Sequence, residues 1–181
     1  MKKALLPLIL SILAVLPFSC GRPDEYRIHG RVTSNELEDV QIFLVPLGHE
    51  TAEFVDSVHI HNHEFFFKGD EHWMCELRLA KRERYKGQNL LVATEPGDIY
   101  VTIGPDSSGG GTPQNDSLQV WKNLTIQSNK AFSALYDAGM KEQADSVRGV
   151  YKARSQAMAL AVGEESILGK FLLNLYPLPK E

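Results

Sequence analysis

The chain has 181 residues, of which 43% are hydrophobic and 23% are charged, and its formal net charge is −4. This composition is typical of a globular protein and excludes collagen-like, disulfide-rich, low-complexity and multi-span membrane proteins. The length fits one domain with a small appendage. The acidic balance argues against a nucleic-acid partner, because binding to phosphates needs a basic face.

The first segment has the features of an export signal. Two lysines precede an uncharged run from Ala4 to Phe18. This run is too short to cross a hydrocarbon core of about 30 Å, which favours a secretory signal. The segment resembles a bacterial lipoprotein signal whose lipidated cysteine is Cys20. We therefore expect residues 1–19 to be a signal peptide and residues 20–25 to be a lipidated tether.

This resemblance also implies a location. Acyl chains on Cys20 would anchor the protein to a membrane of the bacterial cell envelope. Gly21 stands where inner-membrane lipoproteins of the best-known sorting rule carry aspartate, so the outer membrane is favoured, on its periplasmic face or at the cell surface. Secretion without lipid and an uncleaved anchor are the alternatives.

Residues 26–104 form short alternating runs separated by turn sequences, a pattern that predicts β-strands. About seven strands predict an antiparallel β-sandwich or a partly open barrel. Gly30 interrupts the first strand and suggests a bulge. The predicted strands are Tyr26–Val32, Val40–Val45, Phe54–His61, Glu64–Lys68, Trp73–Ala80, Asn89–Thr94 and Ile99–Ile103.

The third and fourth runs are predicted to form a hairpin around Asn62-His63. A two-residue turn would pair Ile60 with Phe65 and turn both side chains toward the core. His63 falls where a positive φ is needed, which predicts local strain or a longer loop.

The opposite face of this hairpin would carry His59, His61 and Glu64. These side chains are ligand types that zinc accepts, so one hypothesis is a metal site. Solvated surface histidines or a pH-responsive surface are the alternatives.

Cys75 lies on the apolar face of the fifth predicted strand. If Cys20 is lipidated, Cys75 has no cysteine partner and no internal disulfide forms. The alternation predicts a buried core cysteine, with a redox or metal role as the alternative.

Residues 105–114 are rich in glycine and are predicted to form a flexible joint. They lack the lysine that a phosphate-binding loop places on terminal phosphates, so no nucleotide is expected.

Residues 115–181 are predicted to form a helical tail of two to three helices. Asn115 or Asp116 is expected to cap the first helix, and Lys141–Val162 is the second. The third carries an apolar stripe that either folds back on the β domain or binds a protein partner. This stripe consists of Leu168, Phe171, Leu172 and Leu175.

The common catalytic motifs are missing from the sequence. It contains no Cys-x-x-Cys, no Gly-x-Ser-x-Gly, no His-Glu-x-x-His and no Gly-x-Gly-x-x-Gly after a strand. We therefore expect a protein that is not an enzyme and needs no cofactor.

Three blocks of residues together resemble a known family. They are Asp56-Ser57 with Phe65-x-Phe67-x-Gly69, then Glu95-Pro96-Gly97-Asp98, then Gly111-Thr112-Pro113-x-Asn115-Asp116-x-Leu118. The order resembles the uncharacterised β-rich N-terminal domain that precedes thioredoxin-like thiol–disulfide interchange domains in lipoproteins of Gram-negative bacteria. The resemblance implies the fold and the envelope location, but the redox centre of that family has no counterpart here.

These observations predict a non-catalytic envelope lipoprotein that acts as a binding or interaction module. One alternative is an accessory to a separate thiol–disulfide enzyme, which rests on the resemblance alone. The other is a small metal- or ligand-binding module that uses the surface histidines.

Overall fold

The computed structural model describes residues 24–179, so the signal segment and Cys20 lie outside the described residues. Within these residues, eight strands precede three α-helices. The strands are β1 (Tyr26–Val32), β2 (Gln41–Pro46), β3 (Asp56–His59), β4 (Glu64–Gly69), β5 (Met74–Leu79), β6 (Leu90–Ala93), β7 (Gly97–Ile103) and β8 (Ser108–Gly110). The helices are α1 (Pro113–Asp137), α2 (Lys141–Val162) and α3 (Ile167–Leu175).

The strands form two four-stranded sheets. Sheet A has the order β4-β1-β7-β8 and sheet B has the order β3-β2-β5-β6. This arrangement confirms the predicted sandwich-like fold with a helical C-terminal part. None of the described helices is long and apolar enough to cross a membrane.

One strand pair departs from the predicted antiparallel pattern. β1 and β7 are parallel, in a register that runs from Tyr26 opposite Gly97 to Val32 opposite Ile103. The expectation of a purely antiparallel sheet was therefore wrong at this pair. Alternating side chains mark a strand's buried face but carry no information about its direction.

The predicted turn at Asn62-His63 forms, but its two arms belong to different sheets. His61 and Glu64 exchange two backbone hydrogen bonds of 2.9 Å, and Asn62 and His63 have φ values of 54° and 64°. The predicted strain is thus confirmed. The predicted register beyond Glu64 was wrong, because the chain passes from sheet B to sheet A at Ile60, whose backbone N–H donates to the carbonyl of Val40.

The sheets enclose the main hydrophobic core. Cys75 is part of it, as predicted, and burial raises the pKa of its thiol to about 12. Gly30 forms no bulge: it pairs with Phe65 on one side and Val101 on the other. A Cβ at Gly30 would overlap with the Phe65 ring, so glycine is required here by close packing.

A second core lies between sheet B and the helices. It contains Met74 and Ala93 from the strands, Leu118 and Trp121 from α1, and residues of α2 and α3. Alternation explains this second core, because Met74 points away from Cys75 and toward the helices. The helices therefore pack directly on the sandwich.

The start of α1 is fixed to sheet B by side-chain hydrogen bonds. Thr112, not Asn115 or Asp116, occupies the N-cap position, and Pro113 stands at the start of the helix, where its missing N–H is not needed. The side chain of Thr112 makes no capping hydrogen bond, and the carboxylate of Glu95 accepts the free backbone N–H of Gln114 at 2.7 Å. A carboxylate at this end also suits the helix dipole.

Residues 105–114 contain a strand of sheet A and the first two residues of α1. They contain β8, which pairs antiparallel with β7. Gly111, at φ 102°, then turns the chain into α1. The segment predicted as a flexible joint thus includes the edge strand of the sheet.

Candidate functional site

The outer face of sheet A carries exposed aromatic and charged side chains. Along β1 the odd-numbered residues Arg27, His29 and Arg31 point outward, since Ile28 is fully buried between them. The parallel partner strand places Tyr100 beside His29. The antiparallel partner β4 places Phe66 on the other side of His29.

These three rings form what we call the aromatic strip: Phe66, His29 and Tyr100. The His29 ring lies 5.2 Å from Phe66 and 5.1 Å from Tyr100 between centroids, and it stacks on Tyr100 at 19°. Phe66 is 43% exposed and Tyr100 is 58% exposed. Single exposed apolar residues are common, whereas a contiguous exposed patch is typical of a binding surface.

Asp98 holds the central ring in place. Its carboxylate accepts two hydrogen bonds of 2.8 Å from the guanidinium of Arg27 and one of 2.9 Å from Nε2 of His29. These bonds keep the pKa of Asp98 well below its ordinary range. The bidentate pair between Arg27 and Asp98 is the strong form of an arginine–carboxylate interaction. It holds the carboxylate in place, and the carboxylate in turn orients the His29 ring.

The strip forms part of an open groove of about 760 Å³. Arg31 also lines this groove, together with His59, His61 and the single acidic side chain Glu64. Arg31 lies opposite Glu64 in the register of β1 and β4, so the fixed charges of the lining offset each other. Arg31 and the three imidazoles are the groups of the groove that can donate hydrogen bonds to an acidic or polar ligand.

The predicted metal ligands are His59, His61 and Glu64, and the structure places His61 close to a different set of side chains. His59 and His61 have ring centroids 6.4 Å apart, and Nδ1 of His61 lies 3.2 Å from Oδ1 of Asp39. Within residues 24–179, the ligand atoms close enough to share a metal belong to Glu38, Asp39 and His61. Metal binding by the trio of His59, His61 and Glu64 stays a prediction.

Glu38, besides lying near Asp39 and His61, has a structural role in the turn that follows His61. Its two carboxylate oxygens accept the backbone N–H groups of Asn62 and His63 at 2.6 and 3.1 Å. These two bonds lower the pKa of Glu38 and stabilise the strained turn.

The predicted apolar stripe of α3 folds back on the protein. Leu168 and Leu172 are fully buried in the core shared with sheet B, and Phe171 packs edge-on against Trp121. Leu175 is the exposed member of the stripe. The fold-back alternative is confirmed, and the buried leucines are covered by the chain itself.

Sequence reasoning identified part of the groove but not the aromatic strip. It placed His59, His61 and Glu64 on one outer face, and all three line the groove. The alternation around His29 and Tyr100 also marks each as outward-facing. It does not indicate that β1 and β7 are neighbours, so their meeting could not be read from the sequence.

The chain is a two-sheet β domain with packed helices and an open groove on the outer face of sheet A. The family model "Domain of unknown function (DUF4369)" matches residues 26–118, and the chain belongs to this family. The match covers all eight strands and the first turn of α1. The searches of curated proteins and of solved structures found no match.

Proposed function

We propose that this protein is a non-catalytic binding module of the bacterial cell envelope. Its anchor would be Cys20, lipidated at the outer membrane, and its ligand surface would be the groove around the aromatic strip. The observation that supports this proposal best is the exposed strip itself, which sits on a hydrogen-bonded sheet and is oriented by Asp98.

The strip and its charges together indicate a ligand class. The exposed parts of the Phe66 and Tyr100 rings offer apolar surface against which the C–H face of a sugar ring packs well. Arg31, at the same groove, has the planar donor geometry that suits a carboxylate or a phosphate. The ligand that fits both features is an acidic sugar.

The order of the rings supports an extended ligand. Phe66, His29 and Tyr100 come from three neighbouring strands, so the strip spans roughly 10 Å across the sheet. This width accommodates more than one sugar ring. A short oligosaccharide is therefore a better probe than a monosaccharide.

Calorimetric titration tests the proposal. The chain from residue 20 onward, with Cys20→Ser to remove the acylation site, is titrated with tetragalacturonate and with uncharged maltotetraose. We expect saturable binding of the acidic sugar and weaker binding of the neutral one. Tyr100→Ala should weaken binding at least tenfold, equivalent to about 1.4 kcal/mol.

A matched control uses an exposed tyrosine outside the groove. Tyr136, on α1, is 54% exposed, close to the 58% of Tyr100. Tyr136→Ala should leave the affinity unchanged. Equal losses in the two variants, or no binding of either sugar, would contradict the proposed ligand class.

The proposed anchor has a separate test. The intact mass of the protein extracted from membranes should equal residues 20–181 plus acyl chains on Cys20. A mass without lipid would remove the membrane anchor and leave the groove proposal standing.

A further inference from the structure

A second cavity lies between α1 and the edge strands β6 and β8. Its volume is about 320 Å³, at the lower end of the range for small-molecule sites. It shares only Gly109 with the groove around the aromatic strip. A ligand here would therefore be independent of the proposed function.

The walls of this cavity are largely apolar. Leu90 and Leu91 come from β6, and Leu118, Trp121 and Ile126 come from α1. The helical spacing brings these α1 residues to the side that faces the strands. Such walls favour a ligand with an apolar body.

Lys122 is the one charged side chain among the residues that line the cavity. Its ammonium group donates to the backbone carbonyl of Ser107. Among residues 24–179, no carboxylate forms an ion pair with it. Partial burial also lowers the pKa of Lys122, because removing water disfavours the charged form.

We propose that this cavity binds a small apolar carboxylate, such as a medium-chain aliphatic acid. The carboxylate would pair with Lys122, and the hydrocarbon chain would lie against the leucines and Trp121. Lys122 is a partly buried cation beside largely apolar walls, and Asp106 acts on it only through a longer-range electrostatic interaction, without a salt bridge. A ligand carboxylate would supply a direct ion pair, and the hydrocarbon chain would cover the apolar wall.

Trp121 supplies the signal for the test. The sequence has two tryptophans, so Trp73→Phe leaves Trp121 as the only one. Trp121 lines the cavity while its Nε1 donates to Ser155 at 3.1 Å. Hexanoate, octanoate and decanoate are titrated into the Cys20→Ser chain that carries this background. We expect a saturable change in Trp121 fluorescence whose affinity depends on chain length.

Two comparisons separate charge from hydrophobicity. Octanol, which has the same chain without the carboxylate, should bind at least tenfold more weakly than octanoate. Lys122→Met should reduce octanoate affinity at least tenfold and leave octanol affinity unchanged. Lys130→Met, at an exposed position of the same helix, is the matched control and should change neither.

Further variants keep the test decisive if Lys122→Met fails to fold. Lys122→Arg retains the charge and should retain octanoate binding, whereas Ile126→Phe fills part of the cavity, adds no tryptophan and should weaken octanoate binding at least tenfold. The proposal would be overturned by the absence of saturable fluorescence change with all three acids. Equal affinities for octanol and octanoate would also overturn it.

Discussion

Replacing Asn115 with alanine should destabilise the protein by about 2–4 kcal/mol. The side chain of Asn115 accepts the backbone N–H of Ala93 at 3.0 Å and donates to the backbone carbonyl of Ala93 at 2.8 Å. It therefore occupies the edge of β6 as a neighbouring strand would. Ala93 is fully buried, so water cannot replace the lost bonds. Each unpaired buried group costs about 1–3 kcal/mol.

Urea unfolding followed by circular dichroism measures this loss. In thermal unfolding, the same loss should lower Tm by roughly 5–15 °C for a chain of this size. Asn123→Ala is the matched control, because Asn123 is exposed on the same helix and its side chain accepts a hydrogen bond from the side chain of Gln119 rather than from the sheet. It should change stability by less than about 0.5 kcal/mol. If the two variants were equally stable, Asn115 would not attach α1 to sheet B.

Three other perturbations test the packing and the charges. Gly30→Ala should lower the free energy of unfolding by about 1–3 kcal/mol, measured in urea, because the added Cβ overlaps with the Phe65 ring. A stability equal to the wild type would contradict this close packing. Cys75 should not react with a thiol reagent in the folded protein and should react after denaturation, since the thiol is buried and its pKa is about 12; fast labelling without denaturant would refute this. Asp98 has a lowered folded-state pKa, so it stabilises the fold above its unfolded pKa and this contribution is lost as pH falls. Wild type should therefore lose more stability between pH 5 and pH 2 than Asp98→Asn, by at most about 1 kcal/mol for this partly exposed group, and equal losses would disprove the linkage.

The strands were predictable because each has one buried face. In β1 the predicted bounds agree with the structure, since Tyr26, Ile28 and Val32 alternate with polar residues. Glycine likewise marks the end of α2, where Gly163 has φ 95°. Such local signals depend only on neighbouring residues.

The choice of strand partners was not predictable from the same signals. The run from Asp56 to Gly69 has the alternation and the turn of a hairpin, yet its halves pair with β2 and β1. The change of sheet occurs at Ile60, which is fully buried between them. Whether a buried isoleucine continues a ladder or crosses to a second sheet depends on residues far along the chain.

In the candidate site, too, the orientation of side chains was predictable and the neighbouring strands were not. The outward orientation of Phe66 and the histidines follows from period-two alternation. The aromatic strip, however, requires β7 to lie parallel to β1, which brings Tyr100 to His29. The sequence also left open what covers the stripe on α3, because the covering residues, Met74 and Trp121, come from distant parts of the sequence.

The central claim is that the groove around the aromatic strip is the ligand surface of this protein. Backbone amide shifts of the ¹⁵N-labelled chain, recorded during a titration with tetragalacturonate, test it directly. The account predicts saturable shifts centred on His29, Phe66 and Tyr100, with α2 and α3 unaffected. Shifts centred on the helices, or none at millimolar ligand, would contradict it.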